Sequence, residues 1–209
     1  DFGRSTAVRP ELPDPDGRPA ISMAAAPSAR RSRTHRSQSS QALARSAGAP
    51  SGLHNNCSGK HSGLLCGPCA AGVDHHGYVK PDHFVQREVR AALESLTGVG
   101  SSADQCGIEG CSIPTYAMSL TALAHAFAKF GTGEGLAPER ASAAARIRAA
   151  CAAEPYYVAG TGRFGTEIMQ LFGARVLAKT GAEGVYCGAL PDRGLGIALK
   201  CDDGATRAS

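Results

Sequence analysis

The sequence predicts an α+β fold, a run of helices followed by a C-terminal antiparallel β-meander. Two periodic stretches and one change of period predict it. Val85, Val89, Ala92, Leu93 and Leu96 recur at helical spacing, as do Met118, Leu120, Leu123, Phe127 and Phe130. Beyond residue 174 the period shortens to that of strands, in three runs joined by glycine-containing turns.

Taken in order, residues 1–36 carry little folding signal. Pro10, Pro13, Pro15 and Pro19 punctuate a polar start, a basic run follows at 30–36, and large apolar side chains are scarce. Such a stretch buries too little surface to offset its ordering entropy, so coil or disorder is expected. The folded domain is expected over 37–209, opening with a short helix that ends near Gly48. A polar loop at 54–63 then leads into an apolar turn at 64–66. Pro81-Asp82 opens the next helix, with Asp82 as its cap and Gly98 as its stop. Residues 108–114 form a second turn bearing glycine and cysteine. A helix is expected over about 115–130, closed by Gly131. Another starts at Pro138, a residue suited to a first turn, and runs to about residue 153; a shorter one covers 166–172. Strands are expected at 175–180, 185–190 and 195–200.

The 209 residues suffice for one domain with a real core. No apolar run is long enough for a membrane span, and no secretory signal is visible, so a cytoplasmic location is expected. The formal charge of +4 is carried by the first fifty residues, where eight arginines face four acidic groups; the remainder is neutral. A neutral body argues against a nucleic-acid surface. The eight cysteines (57, 66, 69, 106, 111, 151, 187 and 201) could form disulfides, but with no secretion signal reduced thiols are expected.

The densest chemistry lies in Asn55-Asn56-Cys57-Ser58-Gly59-Lys60-His61-Ser62-Gly63. Glycines there let backbone approach a ligand, and every other side chain can bond, ligate or attack. Cys57 and Lys60, three apart, share a face of a turn. Cys111 lies in Glu109-Gly110-Cys111, and two thiolates with a nitrogen or oxygen donor suit zinc. Two unrelated core cysteines are the simpler alternative. A different grouping, Cys57, His61, Cys66 and Cys69, has knuckle-like spacing, and with the basic arm upstream it gives a second reading: a zinc-knuckle nucleic-acid-binding module. Gly-Thr-Gly-Arg-Phe-Gly at 160–165 matches the dinucleotide-binding pattern, but no βαβ unit surrounds it. The glycines there shape a turn that presents Arg163 and Thr166. Lys179-Thr180-Gly181 falls on the first terminal strand, whereas none of the five lysines (60, 80, 129, 179, 200) has a serine three residues before it.

The strings 53–63, 108–117, 158–166 and 179–184 together resemble the rhizobial-type L-asparaginases. The resemblance spans roughly 51–203 and implies a β-lactamase/penicillin-binding-protein-like fold and hydrolysis of L-asparagine to L-aspartate and ammonia. It implies a zinc site from Cys57, Lys60 and Cys111 with Glu109 beside it, the metal ordering the substrate pocket. It further implies substrate contacts from His61, Asn56, Arg163 and Thr180, Lys179 as the base serving a nucleophilic serine, and a homodimer acting on a small molecule, with no nucleic-acid or membrane partner. Glu109 stands where the family usually has Asp. Residues 1–32 do not resemble the family's upstream half, which holds its Ser-x-x-Lys. The expectation is therefore a partial domain, incomplete at both ends, with an out-of-frame leader and weak turnover.

Overall fold

The computed structural model describes residues 4–8, 20–21, 48–49, 51–52, 55 and 57–205. Its strands are β1 (Arg4–Val8), β2 (Ala20–Ile21), β3 (Cys106–Ile108), β4 (Pro114–Tyr116), β5 (Met118–Ser119), β6 (Leu177–Thr180), β7 (Val185–Leu190) and β8 (Leu195–Lys200). The helices are α1 (Ser58–Ala70), α2 (Phe84–Thr97), α3 (Leu120–Thr132), α4 (Pro138–Ala153), α5 (Pro155–Ala159) and α6 (Phe164–Phe172). Every strand pairing is antiparallel, so the chain is a mixed helix-and-sheet protein of the expected α+β kind. It divides into two units, one of Asp1–Ile21, Ala92–Gly100 and Met118–Ser209, the other of Ser22–Ala91 and Ser101–Ala117.

The first unit is built on a four-stranded sheet in the order β1-β8-β7-β6. β6, β7 and β8 are the expected meander. Glu183 and Gly184 turn β6 into β7 with φ of 55° and 72°, and β7 opposes Lys179 with Cys187. Helix α3 starts where the Ser119 hydroxyl accepts the Ala122 amide at 3.0 Å, and it stops at Gly133, φ 83°. Ala124 and Ala128 on α3 are fully buried. They touch β8 at Gly196, where an added Cβ would overlap the Ala124 carbonyl oxygen. Small residues on both surfaces thus set a very short helix–sheet distance. Leu120, Ala124, Val185, Cys187 and Ala198 fill the core there; Met169, Leu177, Ala178, Tyr186 and Ala189 fill a second cluster of the same unit.

The second unit holds α1, the hairpin of β3 and β4, and a loop between α1 and α2. Its core is Leu64, Val85 and Ile113, with Tyr78, Phe84 and Cys111 packed against them.

Several expectations change. The polar loop and apolar turn at 54–66 are largely helix: α1 begins at Ser58 and runs through Pro68. Burial of Leu64 and Pro68 stabilises a segment whose three glycines and proline are weak helix formers. Helix α2 begins at Phe84 rather than beside Asp82; the His83 imidazole accepts the Val85 amide at 3.2 Å and so takes the capping role. Residues 114–116 and 118–119 are extended, so α3 starts later than expected and extends one residue beyond Gly131. Within the leader, Arg4–Val8 pairs with β8 (Arg4 opposite Lys200) where coil was expected, because the edge of β8 offers a ladder of backbone partners. The expected helix of 37–48 falls outside the described residues, apart from Gly48, which is not helical. No helix among the described residues is long and apolar enough to cross a membrane.

Candidate functional site

Within the second unit, Cys57 occupies the residue before α1. The Asn55 side-chain oxygen accepts the Cys57 amide at 2.8 Å, and the Cys57 carbonyl accepts the His61 amide at 2.9 Å. The first turn of α1 therefore carries Cys57, Lys60 and His61 in fixed relation. Opposite stands the tip of the β3–β4 hairpin. Glu109 closes it through its amide to the Ile113 carbonyl (3.0 Å), and Ser112 turns the chain with φ of 74°. This tight tip presents Glu109 and Cys111 side by side.

The two segments meet. The Lys60 ammonium donates to Glu109 Oε1 at 2.6 Å, across 49 residues of sequence. The Cys57 and Cys111 thiols are hydrogen-bonding neighbours, and Cys111 also bonds the Lys60 amine. Burial raises the Cys57 thiol; Lys60 pulls it down, but Cys111 and Glu109 reinforce the rise. For Lys60, burial works to lower the ammonium, yet the hydrogen bond and charge of Glu109 outweigh it and the net shift is upward. Two thiols and an amine in one cluster, with the Glu109 carboxylate on the amine, form a donor set that fits a thiophilic divalent cation. His61, one residue on, has its Nδ1 2.7 Å from the Tyr78 hydroxyl, with the rings edge to face.

In the first unit, Lys179 projects from β6. Its ammonium donates to the Thr180 carbonyl at 2.6 Å. It also borders an apolar cavity of about 290 Å³ whose walls include Met118, Phe127, Cys151 and Leu177. Burial raises the Cys151 thiol while the Lys179 charge pulls it down. Thr180 follows on the same strand, its hydroxyl donating to the Gly181 carbonyl. Arg163 is exposed at the start of α6. The structure thus brings Cys57, Lys60, Glu109 and Cys111 together with His61 nearby in one unit, and places Lys179, Thr180 and Arg163 in the other. Asn56 lies outside the described residues.

The family model described as L-asparaginase II matches residues 25–209. The chain belongs to the L-asparaginase II family. It is an L-asparaginase-type amidohydrolase at the level of that family, which implies a small-molecule substrate. No curated protein matches it.

For this L-asparaginase II family chain the knuckle reading finds no support. Among the described residues, the one His/Cys/Asp/Glu trio with donor atoms within 4.8 Å of one another is Asp74, His75 and His76. Cys57, His61, Cys66 and Cys69 therefore do not converge. The dinucleotide pattern at 160–165 follows the short helix α5 rather than a strand, and the Thr166 hydroxyl ties the turn down by donating to the Gly160 carbonyl. Sequence reasoning missed Tyr78 as the partner of His61 and Cys151 as the neighbour of Lys179. The Tyr78 pairing has no local signature, because the two residues lie 17 apart on different elements.

Proposed function

We propose that the chain hydrolyses L-asparagine to L-aspartate and ammonia, and that Cys57, Lys60 and Cys111 hold one zinc ion with Glu109 beside them. The family match over 25–209 carries the reaction class. The convergence of two thiols, an amine and a carboxylate from segments distant in sequence supports the metal. Zinc bound there supplies a fixed positive charge that orders the pocket. Lys60 joins as a neutral amine, releasing its proton and its bond to Glu109.

Amide hydrolysis consumes one water. The acyl C–N bond breaks, a C–O bond replaces it, and nitrogen leaves as ammonia once it has gained a proton. In this reading His61 grips the substrate, oriented by Tyr78 through Nδ1 so that Nε2 faces outward. Asn56, Arg163 and Thr180 complete the grip on the α-amino and α-carboxylate groups. Lys179 takes the proton of an attacking hydroxyl and returns it to the leaving nitrogen. The absence of any Ser-x-x-Lys in the sequence is the reason weak turnover is expected of this chain. The β-lactamase-like assignment rests on the α-helices and on the Lys-Thr-Gly strand at the start of the β6–β8 meander. A domain spanning 37–209 and a cytoplasmic homodimer complete the proposal.

Metal analysis and an asparagine-dependent ammonia assay on the purified chain test it. About one zinc per chain, reduced by Cys57→Ser and by Cys111→Ser, is expected, with slow ammonia release that Lys179→Ala abolishes. Undiminished zinc in both cysteine variants rejects the metal site. Ammonia release unaffected by Lys179→Ala rejects the base, and fast turnover by the parent chain rejects the weak-turnover part.

A further inference from the structure

A second group of donors lies in the loop between α1 and α2. Adjacent residues of an extended chain point to opposite sides, but here the loop curls and His75 and His76 stack face to face, centroids 4.6 Å apart and planes at 28°. The Asp74 carboxylate joins them, 2.6 Å from His76 Nδ1, while also accepting the His76 amide at 3.0 Å. An ionised carboxylate only accepts, so His76 Nδ1 carries the hydrogen and Nε2 presents its lone pair. Carboxylate-held imidazoles of this kind are the usual state of a metal-ligating histidine.

The loop is anchored to buried groups at both ends. The Val73 amide donates to the carbonyl of the fully buried Pro68 at 2.9 Å. Gln86, 1% exposed, donates through Nε2 to the Tyr78 carbonyl at 2.8 Å. Between them, His83 Nε2 lies 2.9 Å from the Asp74 carbonyl, and Gly77 takes φ of 74° so that the chain can turn back. A metal ion arriving there finds a loop already held in its turned form.

We propose that Asp74, His75 and His76 form a surface site for a divalent first-row transition-metal ion, distinct in donor set from the thiol cluster. Two imidazoles, one of them held by the Asp74 carboxylate, suit Zn²⁺, Ni²⁺ or Cu²⁺, whereas Mg²⁺ and Ca²⁺ prefer oxygen donors alone. His76 and Asp74 side chains are 81% and 73% exposed, so water completes the coordination shell and the site takes up and releases its ion readily. The site stands independently of the asparaginase reading.

The test uses the full chain carrying Cys57→Ser and Cys111→Ser, titrated with Ni²⁺, which binds imidazole without oxidising the remaining thiols. One Ni²⁺ per chain is expected by calorimetry, and His75→Ala and His76→Ala are each expected to weaken it by at least about tenfold. The same titration of this double variant, followed by NMR, is expected to broaden the ring protons of His75 and His76 first. Because these side chains face solvent, the variants retain the parent fold, which far-UV circular dichroism checks. Binding unchanged in both histidine variants overturns the proposal. So does binding removed instead by Cys66→Ser/Cys69→Ser, or first broadening at other histidines.

Discussion

Gly196→Ala is the sharpest perturbation that the packing of α3 on β8 allows. The new Cβ would overlap the Ala124 carbonyl oxygen, lie 2.5 Å from the Ala128 amide nitrogen and 2.9 Å from the Ala124 carbonyl carbon. Non-bonded carbon contacts settle at about 3.5–4.0 Å, so the helix has to retreat by roughly 1 Å. The opposing atoms are helix backbone and cannot rotate away. A gap of ~0.5–1 Å forfeits a quarter to a half of each contact along the seam of Leu120, Ala124 and Ala128. Overpacking typically costs about 1–3 kcal/mol, and backbone opposition puts this case at the upper end, ~3 kcal/mol. For a chain of this size that corresponds to a fall in Tm of roughly 6–12 °C. Urea and thermal denaturation followed by circular dichroism read the change. Gly63→Ala is the control: it sits inside α1 with nothing within 4 Å of the new Cβ, so a gain of about 0.5–1 kcal/mol is expected. Gly196→Ala within about 0.5 kcal/mol of the parent would refute the packing argument. The helix face that carries Leu123 and Phe127 also walls the cavity beside Lys179, so the same substitution is expected to alter apolar-dye binding there.

Tyr78→Phe removes the hydroxyl 2.7 Å from His61 Nδ1 and is expected to cost about 1 kcal/mol of stability. It is also expected to shift the His61 tautomer balance in ¹⁵N NMR, and an unchanged imidazole spectrum would sink the positioning role. Burial pushes the Cys187 thiol from 9.0 up to about 12, against the opposing pull of Lys179. The unfolded chain therefore loses this proton first; the contribution is intact below about pH 9 and is lost towards pH 12, by up to ~1.4 kcal/mol per pH unit. Cys187→Ala should flatten the decline in urea midpoint between pH 9 and 11, and identical slopes contradict it.

Local signals were enough for much of the fold. Pro138 and the helical spacing fixed α4, and Gly98 ended α2 where its φ of 71° requires a residue without a side chain. Strands β7 and β8 were readable because β-rich runs alternate there with glycine turns. Helix α1 was not readable: Gly59, Gly63, Gly67 and Pro68 argue against helix locally, and the burial that overrides them comes from Val85 and Ile113, far along the chain. The site divides in the same way. Spacing placed Cys57 and Lys60 on one turn, and the resemblance supplied Glu109 and Cys111 as their partners.

By itself the sequence determined the donor chemistry of residues 55–63, the family of the chain and the order of α2, α3, α4, α6 and the β6–β8 meander, because composition, motif and periodicity are properties of neighbouring residues. Only the tertiary structure decided that the Lys60 ammonium bonds Glu109 directly, that Tyr78 holds His61, that Asp74, His75 and His76 turn to one side, and that Gly196 lies under α3. Most of these contacts join elements separated by long stretches of chain, and the His75–His76 stack depends on how its loop is anchored. Packing of whole surfaces sets them, and no local spacing encodes it.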